Sequence, residues 1–209
     1  MEVKSELSDL QSANLQEIAL LDSHALRSRL LDHIEKYSIL RGDFTLKSGI
    51  KSAWFIDAKK TVCSPDGMLL VANAIYRLVP MEATAIGGLT MGADPVAFSS
   101  AAVCTSLGHP LRSFSVRKEV KDHGGGGRIA GMLDPQDKVV ITEDAVTRGT
   151  SMLEAVKAVR EIGAEVILAI AMVDRGGSAK KLLSQVGVEF QPLFTAHDLG
   201  FEYEGGLEL

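Results

Sequence analysis

The feature that most constrains the fold is a pair of continuous apolar runs. Residues 166–173 read Val-Ile-Leu-Ala-Ile-Ala-Met-Val, and residues 139–141 read Val-Val-Ile. A strand with one face in water alternates apolar and polar residues, whereas a strand covered on both faces is apolar throughout. Both runs are therefore predicted to be inner strands of a parallel sheet with helices on its two faces.

Shorter apolar runs and helical patterns alternate along much of the chain. Strands are predicted near residues 83–86, 111–116, 138–141, 166–173 and 188–194, and helices near residues 95–107, 149–162 and 178–186. Another helix is predicted to begin after Ser64 and to reach Leu78, because Ser64 is followed by a proline and then by an aspartate. The alternation predicts an α/β fold with a doubly wound, mostly parallel sheet.

The N-terminal residues 1–60 fall outside this alternation. Apolar residues recur at helical spacing from residue 7 to residue 37, with Ser23 as the expected N-cap, and short strands are predicted at residues 44–46 and 54–56. We expect them to form a small hood of helices and strands on a single domain that covers residues 1–209. Residues 118–133, which include four consecutive glycines, are predicted to form a long mobile loop.

Charge and composition exclude several functional classes. The 22 basic and 27 acidic residues give a net charge of −5, which disfavours binding to the phosphate backbone of a nucleic acid. The sequence lacks both an apolar run of about 18 residues and the basic-then-apolar order of a signal peptide. Cys63 and Cys104 lack metal-ligand spacing. These observations predict a cytoplasmic protein without membrane or nucleic-acid partners.

A strand followed by a short hydroxyl- and glycine-rich turn carries the first chemical signal. Glu143 and Asp144 follow the apolar residues 139–141, and the turn at residues 147–151 reads Thr-Arg-Gly-Thr-Ser before a predicted helix. The N–H groups of such a turn suit a terminal phosphate. The two carboxylates suit the vicinal hydroxyls of a ribose. The same residues also suit an ordinary strand end with a capping turn.

Three further regions carry groups suited to anions. Residues 112–128 hold five basic and two acidic side chains, a local charge of +3 within an acidic chain. In the hood, Lys47 precedes a Ser-Gly turn and could reach an anion, while Phe55 could pack on a planar ring. Arg175, after the long apolar run, could recognise a carboxylate in a bidentate manner. A solvated charged face, an amphipathic hairpin and a surface arginine are the corresponding structural alternatives.

Four segments together resemble one family, and a fifth resembles it with one departure. Residues 139–151 resemble the phosphoribosyl-diphosphate (PRPP) motif of type I phosphoribosyltransferases, and Arg-Lys-x-x-Lys-x-His-Gly at 117–124 resembles the catalytic loop of orotate phosphoribosyltransferases. Thr-Leu-Lys-Ser-Gly at 45–49 resembles the orotate-binding hood, and Val-Asp-Arg at 173–175 the orotate clamp. Residues 87–95 resemble the pyrophosphate loop, with Met91 in a stretch where many members carry a lysine.

The resemblance implies an enzyme with the type I phosphoribosyltransferase fold. It would transfer the phosphoribosyl group of PRPP to orotate, giving orotidine 5′-monophosphate and pyrophosphate in pyrimidine biosynthesis. Mg²⁺ would be held mainly by substrate and water rather than by direct protein ligands. A homodimer is also implied, in which the catalytic loop of one subunit reaches the site of the other.

The resemblance also implies roles for individual residues. Catalytic roles are implied for Lys121, Lys118, His123 and Asp144. Contacts with PRPP are implied for Arg117, Lys118, Lys121, His123, Glu143, Asp144, Ala145, Val146, Thr147, Arg148, Gly149, Thr150 and Ser151. Contacts with orotate are implied for Lys47, Phe55, Thr147 and Arg175.

Two alternatives keep this fold and change the function. One is a catalytically silent regulator that binds PRPP as a signal, and the other is an enzyme that transfers the sugar to a purine. Other nucleotide-binding classes are disfavoured because the nucleoside-triphosphatase string G-x-x-x-x-G-K-[ST] does not occur. A relaxed dinucleotide pattern at residues 125–130 lies in a polar loop with no long helix after it.

Overall fold

The computed structural model describes residues 15–45, 51–119 and 127–204. The helices are α1 (Leu15–Leu20), α2 (Ser23–Tyr37), α3 (Lys59–Val62), α4 (Pro65–Tyr76), α5 (Ala93–Ser106), α6 (Thr150–Ile162) and α7 (Ala179–Ser184), and a short 3-10 helix follows at His197–Leu199. The strands are β1 (Ile39–Thr45), β2 (Lys51–Ile56), β3 (Ala85–Leu89), β4 (Arg112–Val116), β5 (Ile129–Gly131), β6 (Lys138–Val146), β7 (Glu165–Asp174) and β8 (Phe190–Thr195).

Six of these strands form the main sheet in the order β5-β4-β3-β6-β7-β8. Strands β4, β3, β6, β7 and β8 are parallel, and β5 is an antiparallel edge strand. The doubly wound, mostly parallel sheet predicted from the sequence is confirmed. The strand order reverses between β3 and β6, and ligands of such sheets bind beyond the carboxyl ends of the strands at that point.

The apolar run of β7 explains why the sheet is covered on both faces. Leu168, Ile170 and Met172 belong to one core cluster, which also contains residues of α2, α4 and α5. Ala169 and Ala171 belong to a second cluster, which contains residues of α6 and α7. Successive side chains of a strand point to opposite faces, so one continuous run supplies both cores.

The helix boundaries follow local capping chemistry. Ser64 accepts a hydrogen bond from the Gly67 N–H at 3.2 Å and precedes the proline that begins α4, as predicted. Helix α4 ends at Tyr76, two residues before the predicted Leu78. The predicted N-cap of α2 is wrong by one residue, because Asp22 rather than Ser23 accepts from the Ala25 N–H at 2.8 Å.

The predicted hood is present as an antiparallel hairpin of β1 and β2 beside the N-terminal helices. Burial alternates along β2, where Ser52, Trp54 and Ile56 are buried while Phe55 is exposed. The Trp54 ring stacks on Phe201 from the far end of the chain at 4.4 Å between ring centroids. The hairpin is therefore fixed to the main body through its inner face.

The predicted long loop at residues 118–133 is partly wrong. Residues 129–131 form β5, a short antiparallel edge strand that pairs with β4. The Arg117 N–H donates to the Arg128 carbonyl at 2.7 Å, and Arg128 Nε donates back to the Arg117 carbonyl at 2.9 Å. Residues 120–126 of the predicted loop lie outside the described residues.

None of the helices in the described ranges is long and apolar enough to cross a membrane. The sequence-based assignment of residues 1–209 to one domain stays a prediction.

Candidate active site

A cavity of about 850 Å³ opens at the carboxyl edge of the sheet beside the strand-order reversal. The hood forms one wall, and the end of β6, the start of α6 and the residue after β7 form the other. The lining residues are Leu40, Phe44, Thr45, Phe55, Glu143, Ala145, Val146, Thr147, Arg148, Gly149, Thr150, Ser151 and Arg175.

The turn between β6 and α6, residues 147–151, is named here the phosphate turn. Gly149 is the N-cap of α6 and has φ +83°, a left-handed conformation that glycine adopts without a steric penalty. A Cβ at this position would lie 3.0 Å from the Cα of Ala179, so the turn also packs closely on α7. Arg148 and Thr150 are exposed. The first residues of α6 line the cavity, and the first N–H groups of a helix have no partner within it.

The acid pair of Glu143 and Asp144 lies within β6 rather than beyond its end as predicted, because β6 continues to Val146. Neighbours on a strand normally face opposite sides. Here both carboxyls approach Gly92, where a Cβ would lie 2.1 Å from Glu143 Oε1 and 2.8 Å from Asp144 Oδ1. The bare backbone at residue 92 makes room for both acids.

The predicted pyrophosphate loop is shorter than the sequence suggests. Its two glycines at positions 87 and 88 belong to β3, and α5 begins at Ala93, so only residues 90–92 form the connection. Thr90 Oγ1 donates to Asp94 Oδ2 at 2.6 Å, and Met91 is 63% exposed. The connection places Gly92 against the acid pair, where no side chain would fit.

Burial acts on the acid pair and on the lysine beside it. Burial, reinforced by the negative charge of Asp144, raises the pKa of Glu143 to about 8. Lys59 Nζ donates to Asp144 Oδ2 at 2.8 Å. Burial alone would lower the pKa of Lys59, but its hydrogen bond and ion pair with Asp144 outweigh burial and raise it. Glu143 therefore keeps its proton up to about pH 8, beside the ion pair of Asp144 and Lys59.

At the other end of the cavity lies the arginine cluster, defined as Arg175 with Ser52, Trp54 and Glu204. Arg175 is 5% exposed, although the residue alone suggests a surface position. Its Nη2 donates to Ser52 Oγ at 2.9 Å and to the Trp54 carbonyl at 2.8 Å, and pairs with Glu204 at 3.3 Å. Nε is buried and lacks a hydrogen-bond partner within the described part of the chain.

The surroundings of Arg175 hold its guanidinium in place. The Arg175 carbon Cζ lies 4.6 Å from the centre of the Trp54 ring. Burial lowers the pKa of Arg175, and the charge of Glu204 opposes that effect. The Asp174 carboxylate accepts from the N–H groups of Gly176 and Gly177 at 3.1 and 2.9 Å, which fixes the turn after β7. An unused donor thus stays buried beside the cavity, where a planar anion could accept from it.

The site residues expected from the sequence fall into three groups. Those that line the cavity are Glu143, Ala145, Val146, Thr147, Arg148, Gly149, Thr150, Ser151, Phe55 and Arg175, and Asp144 lies beside them. Arg117 and Lys118 are described but are not among the lining residues. Lys47, Lys121 and His123 lie outside the described residues, so their predicted roles stay predictions.

Three residues of the site were missed from the sequence. Lys59 follows the second hood strand by three residues, and a lysine so close to a predicted hood could have drawn attention to it. Ser52 and Glu204 have no such signal, because the chain brings them to Arg175 from positions 123 and 29 residues away.

The donor set also bears on Mg²⁺. The described residues contain no group of three or more His, Cys, Asp or Glu side chains that could hold a metal ion. Mg²⁺ commonly keeps several waters and binds through one or two carboxylates together with substrate phosphates. The pair of Glu143 and Asp144 fits binding of Mg²⁺ through one or two carboxylates together with substrate phosphates.

Comparison with known proteins places this site in a family. An orotate phosphoribosyltransferase of Aquifex aeolicus (strain VF5) is 40% identical over 177 residues, which are 83% of this chain and 97% of the relative. The Mycobacterium tuberculosis H37Rv orotate phosphoribosyltransferase, solved with Fe(III) dicitrate, has a TM-score of 0.76 at 30% identity and covers 84% of this chain and 99% of its own. Solved with PRPP, that protein gives a TM-score of 0.71 at 29% identity over the same shares. No family model matches.

The sheet order, the phosphate turn and these structural neighbours define a type I phosphoribosyltransferase fold. At this level of identity and coverage, the chain belongs to the orotate phosphoribosyltransferase family, and it is a pentosyltransferase. The resemblance drawn from the four sequence segments is confirmed.

Proposed function

We propose that the cavity binds PRPP and orotate and transfers the phosphoribosyl group to the ring nitrogen of orotate, giving orotidine 5′-monophosphate and pyrophosphate. The observation that carries this proposal is the placement of two complementary ends in one cavity. The phosphate turn and acid pair suit a sugar phosphate, and Arg175 suits a planar anion. A PRPP complex of the M. tuberculosis relative supports the choice of donor.

The phosphate turn receives the 5′-phosphate of PRPP in this proposal. The N–H groups of residues 147–151 and the N-terminus of α6 supply donors and a favourable dipole. Asp144 accepts from a ribose hydroxyl, and neutral Glu143 can both accept from and donate to the second one. As the bond to pyrophosphate breaks, the negative charge of Asp144 stabilises the positive charge that develops on the ribose.

Orotate lies between the hood and Arg175. The Phe55 and Phe44 rings, with centroids 5.8 Å apart, offer an apolar surface to the pyrimidine ring. Arg175 would donate to an orotate oxygen from its buried face, and Lys47 and Thr147 complete the predicted set. Orotate is already an anionic nucleophile, so the site needs no strong general base. Alignment of the two substrates contributes on the scale of about 7–11 kcal/mol seen in well-oriented systems.

The leaving pyrophosphate is assigned to residues 117–128, named here the basic segment. Arg117, Lys118, Lys121 and His123 would donate to it in the closed site, where exclusion of water strengthens each interaction. Lys121 is the first candidate for a catalytic role. Mg²⁺, when bound, would neutralise charge on the pyrophosphate, and Glu143 and Asp144 are the described residues able to hold it, directly or through water.

An ultraviolet assay tests the function directly. The purified chain is incubated with PRPP and Mg²⁺ and with orotate, uracil, adenine or hypoxanthine in parallel. Turnover of orotate alone is expected, because Arg175 would lack an anionic partner on the other bases. Turnover of adenine or hypoxanthine instead of orotate would show that the substrate is a purine. PRPP binding without any turnover would favour the silent regulator.

We further propose a homodimer whose basic segment is shared between subunits, in the cytoplasm and without nucleic-acid or membrane partners. Met91 and Phe98 support the dimer, because these large apolar side chains near the site are 63% and 47% exposed. Mixing inactive Lys121→Ala with inactive Asp144→Asn provides the test. Partial recovery of activity is expected if the basic segment of one subunit acts in the site of the other. No recovery would show that the segment acts in the site of its own subunit.

A further inference from the structure

Lys59 connects the hood to the acid pair, and nothing in the reaction as described above uses it. It begins α3, three residues after the end of β2, and its Nζ lies 2.8 Å from Asp144 Oδ2. The lysine side chain is 45% exposed, whereas that of Asp144 is 8% exposed. A cation that solvent can reach is thus placed against a buried carboxylate at the floor of the sugar site.

The contact fixes the orientation of the Asp144 carboxylate. Oδ1 accepts the N–H of Ala145, the next residue of β6, at 2.7 Å, and Oδ2 accepts Lys59 from α3, so both oxygens have a partner. Each carboxylate oxygen can accept two hydrogen bonds. Oδ2 therefore keeps capacity for a sugar hydroxyl while Lys59 remains bound, and the carboxylate cannot rotate away.

The contact also sets the charge of the site. The acidic groups that act on Lys59 are Asp144, Glu143 and Asp57, so one cation faces three acids. Lys59 opposes the rise of the Glu143 pKa that burial and Asp144 cause. Lys60, the next residue, is exposed and forms no ion pair within the described ranges.

We propose that Lys59 is a positioning residue for the sugar donor, which holds the Asp144 carboxylate oriented for the ribose hydroxyls. This inference rests on the proposed function, because it assigns a role within the same reaction. Lys59 acts through Asp144, and it leaves the orotate end of the cavity unaffected.

The test compares Lys59→Met with Lys60→Met, a matched removal of the neighbouring charge, and with Lys59→Arg. Lys59→Met is expected to lower kcat/KM for PRPP by about tenfold or more, as loss of one partner of a partly buried charge pair commonly does. KM for orotate should stay within about twofold. Lys60→Met should match the wild type, and Lys59→Arg should recover most of the loss.

Several outcomes overturn the inference. Equal kinetics for Lys59→Met and Lys60→Met would do so, as would an equal rise in KM for both substrates. Thermal unfolding of each variant shows whether it is folded, and if Lys59→Met is not, Lys59→Gln is measured in its place. Wild-type chain that fails to turn over orotate contradicts the proposed function instead, whereas active wild type with an equally active Lys59→Met contradicts only the role of Lys59.

Discussion

The phosphate turn and the arginine cluster lie at opposite ends of the cavity and are built in opposite ways. The phosphate turn is one contiguous piece of chain between β6 and α6, and its shape depends on the left-handed Gly149. The arginine cluster joins residues from β2, from the end of β7 and from the C-terminal segment. A local turn is determined by its own sequence, whereas a cluster assembled from distant segments depends on the packing of the whole fold.

The largest expected effect comes from a residue outside both regions. Lys121→Ala should lower kcat by roughly 10²–10³, the loss typical of one preorganised donor to a charged transition state, with PRPP binding retained. Steady-state kinetics and calorimetry with PRPP and Mg²⁺ measure the two quantities, and Lys121→Arg is the charge-retaining control. Unchanged turnover would show that Lys121 has no catalytic role, so the phosphate turn and the arginine cluster would have to account for catalysis without it.

Arg175→Ala tests whether the arginine cluster serves orotate alone. Loss of a charge-assisted hydrogen bond costs about 1.5–3 kcal/mol, so KM for orotate should rise by about 10–100-fold while KM for PRPP changes little. Both constants come from initial rates, and thermal unfolding shows whether the buried cluster survives. Equal increases in the two KM values would mean that the two ends of the cavity are not separate sites.

Gly149→Ala tests the opposite end with a matched control. A left-handed residue with a Cβ costs about 1–2 kcal/mol, and the added methyl would press on Ala179. Gly163 also has a positive φ, at the other end of α6, so Gly163→Ala should lower Tm by a similar amount. Only Gly149→Ala should raise KM for PRPP. If both variants raise it, the turn has no special role in binding phosphate.

The last prediction concerns the pH dependence of the free energy of unfolding. Because the pKa of Glu143 is raised to about 8 in the folded chain, wild-type stability should fall as pH rises from the ordinary value near 4.5 toward 8. Glu143→Gln removes this titration, so the Tm of the variant should rise relative to that of the wild type as the pH increases from 4.5 toward 8. The difference should be about 2–4 °C for each kcal/mol of stability that the wild type loses. Thermal unfolding at several pH values measures the difference. Parallel curves would show that Glu143 is ionised throughout.

The comparison also explains how far the sequence could be interpreted. The parallel sheet followed from the apolar run of β7, and the phosphate turn from nine consecutive residues, 143–151, because both signals are local. The burial of Arg175 was not predictable, since Glu204 and Ser52 reach it only in the folded chain. Strand β5 was missed because three residues at an edge carry almost no apolar pattern.

The two hydrogen bonds between Arg117 and Arg128 have a consequence for engineering. One joins the two backbones and the other runs from the Arg128 side chain to the Arg117 carbonyl, and together they hold the ends of the intervening stretch at the rim of the sheet. Each doubling of the length of such a stretch costs only about 0.6 kcal/mol of closure entropy. Residues inserted between these two arginines are therefore expected to cost little folding stability.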